Sequence, residues 1–266
     1  MAYHKAVRLA IYQVDAFASQ VFVGNPAAVC PLEDWLPDDV LQSIAQENNL
    51  SETAFFVPSK DKIHIRWFTP TSEVKLCGHA TLATAFVLFE KLDFEGEVIT
   101  FESKSGALSV SRENQSLVLD FPSQPGTPCD PPAALIEGLG QEPVEVVAGA
   151  SYLALFESAE DILGVDPKWE RLRQLHPKTV IVTAEGGECD FVSRFFAPSF
   201  GIDEDPVTGS AHCMLTPYWA RKLNKSKLTA RQLSQRTGEL VCELKEDRVL
   251  ISGKAVLYME GTIRVV

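Results

Sequence analysis

Two stretches of the chain repeat each other, and any fold must accommodate both. The first runs Arg66-Trp67-Phe68-Thr69-Pro70-Thr71 and then Cys77-Gly78-His79-Ala80. The second runs Arg194-Phe195-Phe196-Ala197-Pro198-Ser199 and then Asp205-Pro206-Val207-Thr208-Gly209-Ser210-Ala211. Each reads strand, Pro-[Thr/Ser] turn, loop, Gly-polar-Ala, helix. A supersecondary pattern used twice predicts two similar lobes facing a shared cleft. Chemistry is expected at the polar residues where the copies differ.

The correspondence extends outward. Leu36-Pro37-Asp38-Asp39 opens a helix, since proline and acids suit a first turn. Val40, Leu41, Ile44 and Ala45 give it one apolar face, and it ends near Asn48-Asn49. Strands follow at 53–57 and 63–68. In the second half, Asp166-Pro167 opens a helix containing Trp169, Leu172 and Leu175, with strands at 179–182 and 191–196. After each Gly-polar-Ala start comes a central helix, 80–91 and 211–223. The first is apolar almost all round, which places it inside a core. Pro217 is expected to kink the second or to sit in its first turn. A three-stranded meander then follows each helix, at 99–102, 105–110 and 117–119, and at 232–235, 237–242 and 248–251. The predicted fold is α+β: two pseudo-symmetric lobes, each a curved, mostly antiparallel sheet around a central hydrophobic helix. Residues 1–121 form the first lobe and 133–254 the second. The Pro-rich stretch 122–132 is the connector, and the tail 255–266 is expected to cross back to the first lobe.

Composition limits function. The chain has 266 residues and a formal charge of −12, without a basic block, which argues against nucleic acid or an anionic membrane as a partner. Residues 1–10 read as a polar lead into a strand, not a secretory signal, so a cytoplasmic location is expected. The six cysteines are scattered without a Cys-x-x-Cys pair, so neither a metal nor a disulfide framework is expected.

A buried helix leaves its first amides unpaired, and its dipole favours an anion there. Gly78 and Gly209 open the backbone to a ligand at those points, unless Thr208 and Ser210 simply cap the second helix. Glu52, leading into an apolar strand, is a candidate acid–base; the alternative is an exposed strand-end glutamate. Its counterpart in the second half is read as Lys178. His79 and Ser210 are equivalent by position. His79 is able to hydrogen-bond a substrate or carry a proton, or else only packs. Asp205 is placed to orient His79 or a ligand, or else belongs to an acidic turn. Cys77 aligns with Thr208, so a paired-thiol mechanism is disfavoured and Cys77 reads as structural.

Four motifs in order resemble the PhzF-like isomerases of phenazine biosynthesis: Asp15-Ala16-Phe17 with Gly24-Asn25-Pro26-Ala27-Ala28-Val29, Leu50-Ser51-Glu52-Thr53-Ala54-Phe55, Cys77-Gly78-His79-Ala80-Thr81, and Glu204-Asp205-Pro206-Val207-Thr208-Gly209-Ser210-Ala211. The resemblance implies a diaminopimelate-epimerase-like fold and cofactor-independent, metal-free isomerisation of a small carboxylate-bearing metabolite. It assigns Glu52 as the acid–base, with His79, Asp205 and Ser210 beside it in catalysis. Gly78, Gly209, Thr208, Ser51 and Asn25 become candidate substrate-binding residues. Members often pair, so a homodimer is a candidate assembly. Two rivals stay open: a two-base amino-acid racemase or epimerase, and a non-catalytic binding protein on the same fold.

Overall fold

The computed structural model describes residues 7–59 and 62–265; the first six residues of the polar lead and Val266 lie outside it. The chain divides into two compact units, one of residues 1–119 with 254–266 and one of residues 120–253.

The first unit is a sheet of β18 (Ala255–Val265), β1 (Val7–Ala16), β2 (Asn25–Pro31), β3 (Glu52–Pro58), β4 (Ile63–Phe68), β6 (Val98–Ser103) and β7 (Gly106–Glu113), in that spatial order, with β5 (Glu73–Val74) beside β4. Neighbours are antiparallel except β2–β3 and β4–β6. A parallel pair needs a crossover. Helix α1 (Asp38–Asn48) supplies the first and α2 (Gly78–Lys91) the second. The two helices cover opposite faces, because β3 alternates. Phe55 joins Leu41, Ile44 and Ala45 under α1, and Asn48 of α1 donates to Thr53 Oγ1 at 3.1 Å. Glu52, Ala54 and Phe56 therefore point to the α2 side.

The second unit repeats this plan with β9 (Thr127–Pro128), β10 (Glu145–Ala148), β11 (Ser151–Leu155), β12 (Thr179–Glu185), β13 (Phe191–Ala197), β15 (Lys227–Gln232), β16 (Gly238–Lys245) and β17 (Arg248–Gly253), and with β14 (Ile202–Glu204) on β13. The parallel pairs are again β11–β12 and β13–β15. The second crossover carries α6 (Gly209–Leu223). The first is broken into α4 (Ala159–Gly164), α5 (Trp169–Leu172) and a 3-10 turn, Arg173–Leu175. These pack with α3 (Ala133–Leu139) on one core of Leu135, Ile162, Leu172, Val180, Val182 and Phe196. The strand β8 (Ser116–Pro122) carries the chain from the first unit into the second.

Several expectations need correction. The helix predicted after Asp166 is a single turn, because Pro177 follows two residues after Leu175 and stops it. The strand expected at 232–235 lies earlier, at Lys227–Gln232; Ser234 and Thr237 form a turn instead, with the Thr237 amide donating to Ser234 Oγ at 3.1 Å. Pro217 stands in the interior of α6. It has no N–H for the Cys213 carbonyl, and the amide of Gln124 donates to that oxygen at 2.9 Å. The Pro-rich stretch thus packs into the second unit, and its Thr127 and Pro128 pair with β10.

The duplicated Arg-aromatic-Phe motif is a clamp. Arg66 makes a bidentate pair with Glu73 at 2.8 Å on both arms. Arg194 does the same with Glu204 at 2.8 and 3.0 Å. Each guanidinium also lies about 5 Å over the ring two residues on, Phe68 or Phe196. Each reaches a helix on the far face as well: Arg66 donates to Asp38 at the start of α1, and Arg194 to the Ile162 and Val165 carbonyls at the end of α4. The clamp fixes the short strand just before each central helix. It holds Glu73 down to about 2, chiefly through its hydrogen bonds to Arg66.

Candidate active site

In the first unit, Glu52, Cys77, His79 and Asn25 converge on the start of α2, all buried. Glu52 Oε2 lies 3.2 Å from His79 Nε2. Neither atom has another hydrogen-bond partner. His79 Nδ1 lies 3.2 Å from Asn25 Nδ2 and 3.5 Å from Cys77 Sγ. Burial opposes a charge on His79, yet Cys77 and Glu52 outweigh it and hold the imidazole well above its ordinary range. Burial, with the Glu52 charge adding to it, pushes the Cys77 thiol up to about 11. Near neutral pH the thiol is therefore uncharged.

Cys77 is the N-cap of α2, but its side chain makes no cap hydrogen bond, and the first turn holds no acidic residue. Gly78 is buried there, while Ser51, before β3, is partly exposed. Glu52, Cys77 and His79 each offer a ligand atom within 4.8 Å of the others, a set that suggests a cation site. The sulfur faces Nδ1 and the carboxylate faces Nε2. The two flank the ring on opposite nitrogens instead of converging with one of them, as a shared ion requires.

In the second unit, Thr208 is the N-cap of α6 and again makes no cap hydrogen bond. The alternative of capping by Thr208 does not form, because its hydroxyl donates to Asp205 Oδ2 instead. Gln232 locks this turn: its Nε2 donates to the Asp205 carbonyl at 2.7 Å and to Thr208 Oγ1 at 3.2 Å, and its Oε1 accepts from the Thr208 amide at 2.9 Å. Sequence reading missed Gln232, which looks like an ordinary strand-end glutamine until β15 is seen beside the turn. Gly209 is buried and Ser210 exposed. His212, one turn on, is fully buried, and its Nδ1 donates to the Thr208 carbonyl at 2.8 Å. Burial pushes it down to about 4.

The register revises one equivalence. Thr53 pairs with Phe68, and Val180 pairs with Phe196. Since Phe68 and Phe196 occupy the same place in the repeat, Glu52 corresponds to Thr179, not Lys178. A one-residue slip reverses the face. Thr179 Oγ1 bonds Ser151 Oγ at 2.6 Å, while Lys178 Nζ donates to the Gly149 carbonyl.

The sequence profile of the PhzC-PhzF family, described as phenazine biosynthesis-like protein, matches residues 14–261. The chain belongs to the PhzF-like isomerase family. An uncharacterised isomerase of Pseudomonas aeruginosa is 54% identical over 259 residues, covering 97% of this chain and 99% of the relative. The crystal structure of a PhzF-family protein from Enterococcus faecalis superimposes with a TM-score of 0.94 at 46% identity, covering 97% and 99% of the two chains. A hydroxyproline epimerase from Agrobacterium vitis, 12% identical with a TM-score of 0.62 over 97% of this chain and 93% of its own, shares the fold. Among the described residues, no helix of this PhzF-like protein is long and apolar enough to cross a membrane.

Proposed function

We propose that this PhzF-like protein isomerises a small carboxylate-bearing metabolite, cyclic or amino-acid-like, by moving one proton between carbons without a cofactor. The observation that carries the reading is the buried Glu52–His79 contact at the uncapped start of α2. In its carboxylate form Glu52 takes a proton from a carbon of the substrate. The electron pair left behind shifts into the adjoining unsaturated system. Glu52 then returns the proton to the carbon at the far end of that system, so atoms and charge balance. The first amides of α2 and its dipole stabilise the negative charge that develops. His79 assists the transfer from Nε2.

Asp205 and Ser210 carry the roles that the family resemblance assigns, positioning substrate and holding a carboxylate, with Thr208, Gly209, Gly78 and Ser51 as further contacts. The proposal includes a cytoplasmic homodimer, which light scattering on the purified protein tests for assembly state. One observation weighs against a two-base thiol epimerase: Thr208 stands where a second cysteine would.

The test is uptake of solvent deuterium across a panel of small carboxylates, with Glu52→Gln as the decisive variant. Glu52→Gln should bind a substrate and neither exchange nor convert it. Wild-type turnover by Glu52→Gln would end the proposal. Exchange lost in Cys77→Ser but kept in Glu52→Gln would support the thiol epimerase instead.

A further inference from the structure

Asn25 entered the sequence reading as a substrate contact, but its geometry suggests a different task. It is fully buried, the first residue of β2, and pairs with Ala16 of β1. The turn that brings it there is rigid. Gly24 has φ +73, and a Cβ on it would lie 2.3 Å from the Ala16 carbonyl oxygen, so only glycine fits. Asp15 Oδ2 accepts the Phe22 amide at 2.9 Å and closes the same turn. The Asp-Ala-Phe and Gly-Asn-Pro motifs together seat one amide side chain, with its nitrogen 3.2 Å from His79 Nδ1.

A neutral imidazole has one donor and one acceptor nitrogen. Asn25 Nδ2 can only donate, whereas the Cys77 sulfur on the same nitrogen, at 3.5 Å, serves either as donor or as acceptor. The Asn25 contact makes Nδ1 the acceptor. The ring hydrogen of the neutral form then sits on Nε2, the nitrogen facing Glu52.

We propose that Asn25 is a positioning residue, whose amide holds His79 at Nδ1 and keeps Nε2 as the nitrogen that trades a proton opposite Glu52. The proposal rests on the reading of Glu52 and His79 as the proton-transfer pair, and it adds how the ring is held in both of its states. When the ring gains a proton, Nδ1 also becomes a donor, and the amide meets it by turning its oxygen inward. A primary amide serves both states. A carboxylate serves the charged ring and the neutral Nδ1–H tautomer but not the neutral Nε2–H one, and an apolar residue serves none. Glu52 and Cys77 are the titratable groups acting on His79, from β3 and from the N-cap of α2.

The test needs no substrate. Nitrogen-15 NMR of histidine-labelled protein reads the tautomer and the titration of His79. The neutral form of the wild type should carry its hydrogen on Nε2. Asn25→Leu should lose that tautomer preference. Asn25→Asp, close in shape, should move the hydrogen to Nδ1 and raise the pH at which the ring loses its charge by about one unit or more. If Asn25→Leu does not fold, Asn25→Asp alone decides. A wild-type Nδ1–H tautomer overturns the proposal, and so does an Asn25→Asp titration and tautomer identical to wild type. Wild-type turnover in Glu52→Gln would defeat the isomerase mechanism while leaving this result standing, so the two failures are distinguishable.

Discussion

The starts of α2 and α6 are built from one plan and finished in opposite ways. Both follow an arginine clamp, both open with a buried glycine, and neither N-cap side chain caps the helix. At α2 the polar groups are a carboxylate, an imidazole and a thiol, packed together with Glu52 Oε2 and His79 Nε2 left without hydrogen bonds. At α6, Asp205, Thr208 and Gln232 bond one another, and the buried atom without a hydrogen bond is His212 Nε2, one turn on. A satisfied network rigidifies, whereas buried polar atoms left unsatisfied are costly and need a use. The duplicated architecture supplies the frame, and the proposed proton transfer is placed at the start that holds the Glu52–His79 contact.

The largest expected effect tests that assignment. Glu52→Gln should lower turnover by roughly 10²–10⁴-fold, the usual weight of an acid–base group. Adding Thr179→Glu at the equivalent register position should not restore it, since no imidazole stands at Ser210. Restored turnover in that double variant would erase the distinction between the two helix starts.

Next come the clamps. Arg66→Met leaves Glu73 with Lys104 alone, whereas Arg194→Met strands Glu204 together with two backbone carbonyls. Arg194→Met should cost about 3 kcal/mol in urea unfolding, and Arg66→Met less. For Glu73, held at about 2 against an ordinary 4.5, the sign is that of a depressed carboxylate. Its contribution is full above the unfolded value and fades as pH falls towards 2. Equal and negligible losses from both arginines would show the clamp to be ornamental.

The two buried histidines offer a comparison of similar size. His212 is lowered to about 4 from 6.5. The unfolded chain therefore binds a proton that the folded one refuses, and stability falls as pH drops from 6.5 to 4, by about 3 kcal/mol for this group. His79 is raised, so its contribution is complete below 6.5 and is lost as pH rises through its higher folded value. Denaturation across pH 4–7 should show acid sensitivity that His212→Gln reduces. Unchanged acid sensitivity in that variant would refute the assignment.

The smallest effect concerns the network at α6. Thr208→Val removes a hydroxyl shared by Asp205 and Gln232 and should cost about 1–2 kcal/mol. A loss no greater than a surface substitution would mean the network adds little order to the start of α6.

Much of this was legible beforehand, for physical reasons. Helix α1 could be read from proline and acids at its start and from apolar residues at helical spacing, because those signals are local. The central helices were legible from their all-round apolarity. The Lys178 equivalence failed because sequence spacing cannot see a strand register, and one residue decides the face. Gln232 was invisible because its partners lie 24 and 27 residues away along the chain. Helices α3 and α4 were passed over because each is under two full turns and draws its stability from the core it covers.

By itself, then, the sequence determined the doubled α+β plan, the family and the identity of the acid–base candidate, since repeats, periodicities and motifs are written in order along the chain. Tertiary structure alone decided which nitrogen of His79 meets Glu52, that Asn25 stands behind the ring, and that the Gly24 turn puts it there. Those facts depend on distances of about 3 Å between residues up to 54 positions apart. Only the pairing of β1 with β2 and the packing of α2 against the sheet fix such distances.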